Sequence, residues 1–314
     1  MMLNAEHKIA VLIPVRDEES TIGNVVSQIR EHYATADIYV YDNCSSDRSY
    51  DVAVDSGAHT VRSYYIGKGN VVRQMFADIE ADIYIMIDGD LTYPADAMQG
   101  LVAEFYEKKY DLLIGKRRAV SDQAFKAGHT AGNRLVSYLV SLFFGTDGID
   151  VLSGYRVMSR RFVKSLALQS RGFEIETEMT INAIALKIPL GQKEVEYFPR
   201  PAGSKSKLRT GRDGVLVLIS IFILIRDFFP LHFFSVVALF LFSTFLMLFL
   251  PLLLDYYALG TVDRIPTLIM SISFLFLASL SLFSGVLLDA VKRVRIENFI
   301  YRYASNKPIE SRGK

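Results

Sequence analysis

Residues 82–90, DIYIMIDGD, decide the fold. Ile83, Tyr84, Ile85, Met86 and Ile87 follow one another without a polar break, the pattern of a strand buried on both faces. That strand runs directly into Asp88 and Asp90, and Gly89 between them lets backbone and ligand approach closely. A strand apolar on both faces needs a sheet covered on both sides, which points to an α/β architecture.

The neighbouring sequence repeats the theme. Lys8–Pro14 (KIAVLIP), Asp37–Tyr41 (DIYVY), His59–Ser63 (HTVRS) and Asp111–Gly115 (DLLIG) are short runs rich in Ile, Val and Tyr, and read as further strands. Ile22, Val25, Val26 and Ile29 recur at i, i+3, i+4 and i+7, so a helix with one apolar face lies between the first two. Strand and helix in alternation predict a mostly parallel sheet, and such sheets bind ligands beyond the carboxyl ends of their strands. Acidic groups gather at three of those ends: Asp17, Glu18 and Glu19 after the first strand, Asp42 and Asp47 after the second, Asp88 and Asp90 after the fourth. The last pair suits Mg2+ or Mn2+ bridging a diphosphate; the competing reading is a solvated acidic turn. Gly67-Lys68-Gly69 opens a helix over Asn70–Ala81 but lacks Walker A spacing, and Arg73 stands where a dinucleotide fingerprint needs its last glycine. Lys68 and Arg73 are placed either to meet phosphate or simply to be solvated.

Composition narrows the function. Thirty-five Lys and Arg against 34 Asp and Glu leave a net charge of +1, without the basic field that nucleic-acid binding needs. The one cysteine, Cys44, excludes an internal disulfide and a thiolate-rich zinc site. Residues 1–10 carry Glu6, His7 and Lys8 and no signal-type apolar core, so the N-terminus is expected to stay in the cytoplasm.

Hydrophobic residues make up 51% of the chain, and charges almost vanish after Asp213. None falls between Phe228 and Leu254 or between Ile265 and Leu288, stretches that match the roughly 20 residues needed to cross a bilayer. They read as two transmembrane helices, because buried core helices rarely stay uncharged this long. Lys292, Arg293 and Arg295 after the second span place both termini inside and Asp255–Arg264 outside. Val215–Ile225, bracketed by charges, reads as an interfacial helix or as the start of a longer, tilted first span. The expected organisation is a cytoplasmic catalytic domain at 1–210, an interfacial helix at 211–229, two spans at 230–290 and a basic cytoplasmic tail at 291–314.

Seven motifs then occur in order: IPVRDEE (13–19), YDNCSSD (41–47), GKGNVVR (67–73), DGDLTYP (88–94), Gly115-x-Arg117, DVLSGYRVMSR (150–160) and RPAGSKSKL (200–208). Together they resemble family 2 glycosyltransferases of the dolichol-phosphate mannose synthase and polyprenyl-phosphate glycosyltransferase type. The resemblance covers about the first 210 residues. It implies a GT-A fold, a UDP- or GDP-linked sugar donor, a divalent metal, a polyprenyl phosphate acceptor and a place in the inner membrane; a homo-oligomer is compatible with it. By the same resemblance Pro14, Arg16 and Glu18 line the nucleoside pocket and Asp42 faces the base. Gly67, Lys68 and Gly89 belong to the donor site, and Asp88 and Asp90 hold the metal. Arg200 and Lys205 lie on a loop that folds over the diphosphate, or that is simply a basic segment drawn to anionic lipid. Arg117, Arg134, Ser153 and Arg156 serve the acceptor, and Asp150 acts as base, orients the acceptor or stabilises positive charge developing on the sugar ring, the acceptor's phosphate oxyanion needing little activation. The chain departs from the family pattern at Asp17 (usually Asn), Asn43-Cys44 (usually Asp-Gly) and Thr92 (usually Gln). A processive polysaccharide synthase is disfavoured by the absence of tryptophan, which its acceptor motif requires, and an inactive scaffold by the intact acidic pair.

Overall fold

A computed structural model describes residues 7–120, 137–145, 148–201 and 210–308, with backbone only at 210–213. The chain divides into two units, residues 1–221 with 299–314, and residues 222–298.

In the first unit, strands β1 (Ile9–Val15), β2 (Asp37–Asp42), β3 (His59–Arg62), β4 (Ile83–Met86), β5 (Leu112–Ala119), β6 (Arg156–Ser159) and β7 (Leu190–Tyr197) form one sheet in the order β3-β2-β1-β4-β6-β5-β7. Each pairing is parallel except those of β6, which runs antiparallel to both β4 and β5. The mostly parallel sheet expected from the sequence is thus present. The fifth expected strand extends beyond Gly115 to Ala119.

Alternation along the strands builds two cores. Val11, Ile13, Ile83 and Ile85 point to one face, where Val25, Val26 and Ile29 of α1 (Ile22–His32), Ala53 of α2 (Ser49–Asp55) and Leu101 and Phe105 of α4 (Ala97–Glu107) cover them. Leu12, Tyr84, Met86 and Ile114 point to the other, under Val72 and Met75 of α3 (Lys68–Asp78), Phe162 of α6 (Arg160–Ser165) and Met179 of α7 (Ile175–Ala185). A short helix α5 occupies 137–144. Strand order reverses on either side of β1, which has β2 on one flank and β4 on the other, so a crevice opens at the carboxyl ends of β1 and β4.

The second core is completed from the far end of the chain. Phe299 is buried in it, the Tyr303 hydroxyl donates to Asp111 Oδ2 at 2.5 Å, and Arg160 donates to Asn306 Oδ1 at 3.0 Å. Helix α10 (Ile265–Ser305) therefore continues through the stretch that reads as a tail in the sequence.

Helix α8 (Thr210–Phe228) covers the expected interfacial stretch and stops at Phe229, so it is distinct from α9 (Pro230–Leu259). Proline at the start of α9 suits a position with no intrahelical N–H partner, and Gly260, at φ 71°, ends it. Both α9 and α10 are long and apolar enough to cross a membrane, and only 11% and 17% of their apolar windows are buried, unlike core helices of a soluble domain. Within this second unit the two helices cross closely where Ser281 donates to the Phe234 carbonyl and a Cβ on Gly285 would lie 2.9 Å from Phe234 Cβ. Asp227, Asp289, Lys292 and Arg295 gather near one end of the pair, with Arg295 3.5 Å from Asp227.

Candidate active site

β4 ends at Met86, and the two acids that follow reach the crevice beside β1 with their charges already paired. Asp88 Oδ1 accepts from Lys68 Nζ at 2.5 Å, and the same ammonium lies 2.5 Å from Glu176 Oε1. Asp90 Oδ2 meets Arg200 at 2.5 Å, and Arg200 also reaches Glu18 Oε1 at 3.2 Å. Thr92, where the family pattern has glutamine, donates its hydroxyl and its N–H to Asp90 Oδ1 at 2.5 and 3.1 Å and so fixes that carboxylate. A Cβ on Gly89 would press tightly on Val15, 3.0 Å from its side chain; the Gly89 carbonyl accepts from Thr21 at 2.7 Å.

The two acids differ electrostatically. Burial disfavours the Asp88 anion, but Lys68, helped by Arg200 and Arg117, outweighs it and holds the carboxyl below the usual range. Burial and the adjacent Asp88 charge push Asp90 up, against the opposing Arg200.

The nucleoside-side residues form a hydrogen-bonded set of strand-end loops. Asp17 N–H donates to Ser45 Oγ at 2.8 Å and Glu18 N–H to Ser49 Oγ at 2.7 Å, while Asp17 Oδ1 accepts from Ser46 N–H at 2.7 Å. Asp42 is buried and accepts from Ser45 N–H; Pro14 and Arg16 are half-buried at the end of β1. Asn43 Oδ1 accepts from Gly67 N–H at 2.8 Å, so the departure from Asp-Gly ties β2 to the start of α3. Cys44 takes the glycine position with φ 54°, a left-handed conformation that costs an L-residue about 1–2 kcal/mol. Gly67, at φ 128°, and Gly69 pack on the backbone of 170–171, where a Cβ would collide with the carbonyls of Arg171 and Ser170.

On the acceptor side Arg117, from β5, grips Asp150 with Nε at 2.8 Å and Nη2 at 2.7 Å, and its backbone N–H adds a third bond at 3.1 Å. Burial opposes the Asp150 charge, but Arg117 prevails and holds the carboxyl below its ordinary range. Ser153 and Arg156 are completely buried. The Ser153 hydroxyl donates to the Gly115 carbonyl at 2.6 Å, and Arg156 donates to the carbonyls of Ser153 (2.9 Å) and Val151 (3.0 Å). Burial lowers the Arg156 guanidinium to about 10. These two residues shape the 150–155 turn from beneath. Tyr93, whose hydroxyl accepts from Gly154 N–H at 3.0 Å, packs edge-on against Tyr155 and Tyr197 on the same side.

The structure thus brings Glu18, Lys68, Asp88, Asp90 and Arg200 into one charge cluster and Arg117 with Asp150 into a second. Arg134 and Lys205 lie outside the described residues. Glu176 and Tyr93 emerge only in three dimensions, as does the hold of Thr92 on Asp90. Glu176 lies in a helix in which Thr177, Glu178 and Thr180 are also buried, where polar residues ordinarily face water. Among the described residues no three His, Cys, Asp or Glu side chains converge as metal ligands. A pair of hard carboxylates nonetheless fits Mg2+ or Mn2+, which characteristically take one or two carboxylates and fill their remaining positions with phosphate and water.

Residues 10–166 match the model of glycosyl transferase family 2. Glycosyltransferase AglJ of Haloferax volcanii is 34% identical over 229 residues, 72% of this chain and 75% of that one. An undecaprenyl-phosphate 4-deoxy-4-formamido-L-arabinose transferase of Enterobacter sp. is 28% identical over 171 residues, 49% of this chain and 50% of that one. Glucosyl-3-phosphoglycerate synthase from Mycobacterium tuberculosis, solved with Mn2+, UDP-glucose and phosphoglyceric acid, superposes with a TM-score of 0.59 at 21% identity, covering 71% of this chain and 81% of that one. The chain belongs to glycosyl transferase family 2. Its first unit has the GT-A fold, and the protein is a glycosyltransferase.

Proposed function

We propose that the protein transfers a sugar from a nucleotide-diphosphate donor to a polyprenyl phosphate, with inversion, at the cytoplasmic face of the inner membrane. The observation that carries this is the Asp88/Asp90 pair at the β1/β4 crevice, the first half-buried and the second buried, met by Lys68 and Arg200. Asp88 and Asp90 would hold the divalent ion, whose chemistry there is to neutralise charge gathering on the leaving diphosphate. Lys68 and Arg200 contribute fixed positive charge to the same leaving group. The loops of Arg16, Glu18 and Asp42 form the side of the crevice suited to the nucleoside.

Arg117 offers a planar guanidinium to an acceptor phosphate, and Asp150 orients it. A phosphate monoester already carries its nucleophilic oxyanion near neutral pH, so Asp150 need not remove a proton. A direct displacement follows from this arrangement and yields a β-linked product from an α-linked donor. The two apolar helices and the relative that takes undecaprenyl phosphate support a lipid acceptor over a soluble one.

Membranes carrying the protein, given a panel of labelled UDP- and GDP-sugars with undecaprenyl phosphate, should yield one labelled lipid on thin-layer chromatography. Chelation or Asp90→Ala should abolish it while the protein stays folded. No labelled lipid with any donor, or full turnover in excess chelator, would defeat the proposal.

A further inference from the structure

The Lys68 ammonium has two carboxylate partners at the same distance, Asp88 Oδ1 and Glu176 Oε1, both 2.5 Å away. One would neutralise it. With both, one ammonium is shared between two carboxylates in a place where the Lys68 and Glu176 side chains are 10% and 4% exposed. Glu176 Oε2 is in addition buried without a hydrogen-bond partner, and a polar atom left in that state is costly and calls for a reason. The same plan recurs at the other acid: Arg200 is shared between Asp90 Oδ2 and Glu18 Oε1, a carboxylate outside the acidic pair. Each member of the pair is therefore covered by a cation that holds a second anion.

A divalent ion at Asp88 competes with the ammonium that already holds its Oδ1 at 2.5 Å. If Lys68 simply let go of Asp88, it would be a buried cation without an anion, which is strongly disfavoured. We propose that Glu176 is a positioning residue that retains Lys68 when Asp88 exchanges its ammonium partner for a divalent cation. The unpartnered Oε2 is the acceptor held in reserve for that exchange: an ammonium has three donors and can take both oxygens of Glu176. Glu176 touches neither cation nor sugar in this role and acts only through Lys68. The inference rests on the donor-site reading above.

The test uses the full chain in detergent with Mn2+ alone as probe, free Mn2+ being followed by electron paramagnetic resonance and folding by thermal melt. Glu176→Gln should weaken Mn2+ binding about tenfold or more, the effect of losing one charge-assisted hydrogen bond. In the Lys68→Met background the same substitution should have no effect, because the ammonium that competes for Asp88 is gone. Wild-type affinity in Glu176→Gln, or an undiminished loss in the Lys68→Met background, overturns the inference while leaving the donor site standing. Should Glu176→Gln fail to fold, Lys68→Met alone decides: it should bind Mn2+ more tightly than wild type, and equal or weaker binding overturns the inference. A wild type that binds no more Mn2+ than Asp90→Ala defeats the metal site itself, and the inference with it.

Discussion

Gly154 and Asp88 meet across the seam between β4 and the antiparallel β6: a Cβ on Gly154 would stand 2.8 Å from the Asp88 carboxyl carbon. Register explains the contact. Met86 pairs with Arg156, so the residues just after β4 lie opposite those just before β6. The glycine of the SGYR motif thus serves the donor side of the crevice, although its neighbours Ser153 and Tyr155 build the acceptor side.

Gly154→Ala should accordingly displace the Asp88 carboxylate, which Lys68 prevents from rotating freely. Misplacing a reacting group by about 1 Å costs on the order of a hundredfold in rate. The expected outcome is a loss of that size in transfer together with weakened Mn2+ binding, in a protein that still melts cooperatively. Wild-type turnover at subsaturating Mn2+ would refute it.

Asp150 gives a pH prediction. Arg117 holds its carboxyl below the unfolded value, so the pair contributes stability that is fully present above about pH 4, the unfolded value, and is lost as pH falls through the folded one. Asp150→Asn should cost about 3 kcal/mol at neutral pH by removing the carboxylate that the buried Arg117 grips. The difference from wild type should shrink in acid. Chemical denaturation at pH 7 and pH 3 measures both; a difference that grows in acid contradicts the assignment.

Cys44 sits at φ 54° where the family pattern has glycine, and its Sγ makes a long contact, 3.5 Å, to the Ser63 carbonyl. Cys44→Gly should relieve roughly 1 kcal/mol of backbone strain and raise the melting temperature. A lowered melting temperature would show that the thiol contact outweighs the strain.

Topology can be read with an impermeant thiol reagent, because the native Cys44 is exposed. In intact cells Thr261→Cys, in the connector between α9 and α10, should be labelled while Cys44 reacts only after lysis. Labelling of Cys44 in intact cells reverses the proposed orientation.

Much of this was legible before any coordinates. DIYIMIDGD and KIAVLIP are strands because a parallel sheet buried on both faces tolerates no polar break, and that is a local property of sequence. β6 and β7 escaped the reading for opposite reasons. Arg156–Ser159 is only four residues long and hides a buried arginine, whereas Leu190–Tyr197 carries Lys193, Glu194 and Glu196 and lies at the sheet edge. The carboxylates at the strand ends, Lys68 and Arg200 are each visible in the sequence, but their pairing and the added Glu176 are not. Glu176 is 108 positions from Lys68 and Arg200 110 from Asp90, distances that no local pattern spans. The Arg117–Asp150 pair likewise joins two motifs that the sequence presents separately.

The ribosome delivers the parts of this molecule in an order that its core does not follow. Phe299 and Tyr303, in the last turns of α10, emerge after both long uncharged stretches, yet the second core needs the phenylalanine ring and Asp111 needs the tyrosine hydroxyl. A nascent chain that has produced every strand, every acidic ligand and the whole crevice still lacks the piece that seals the sheet from behind. That core can therefore close only once the last turns of α10 have been made, behind the apolar stretch of the same helix.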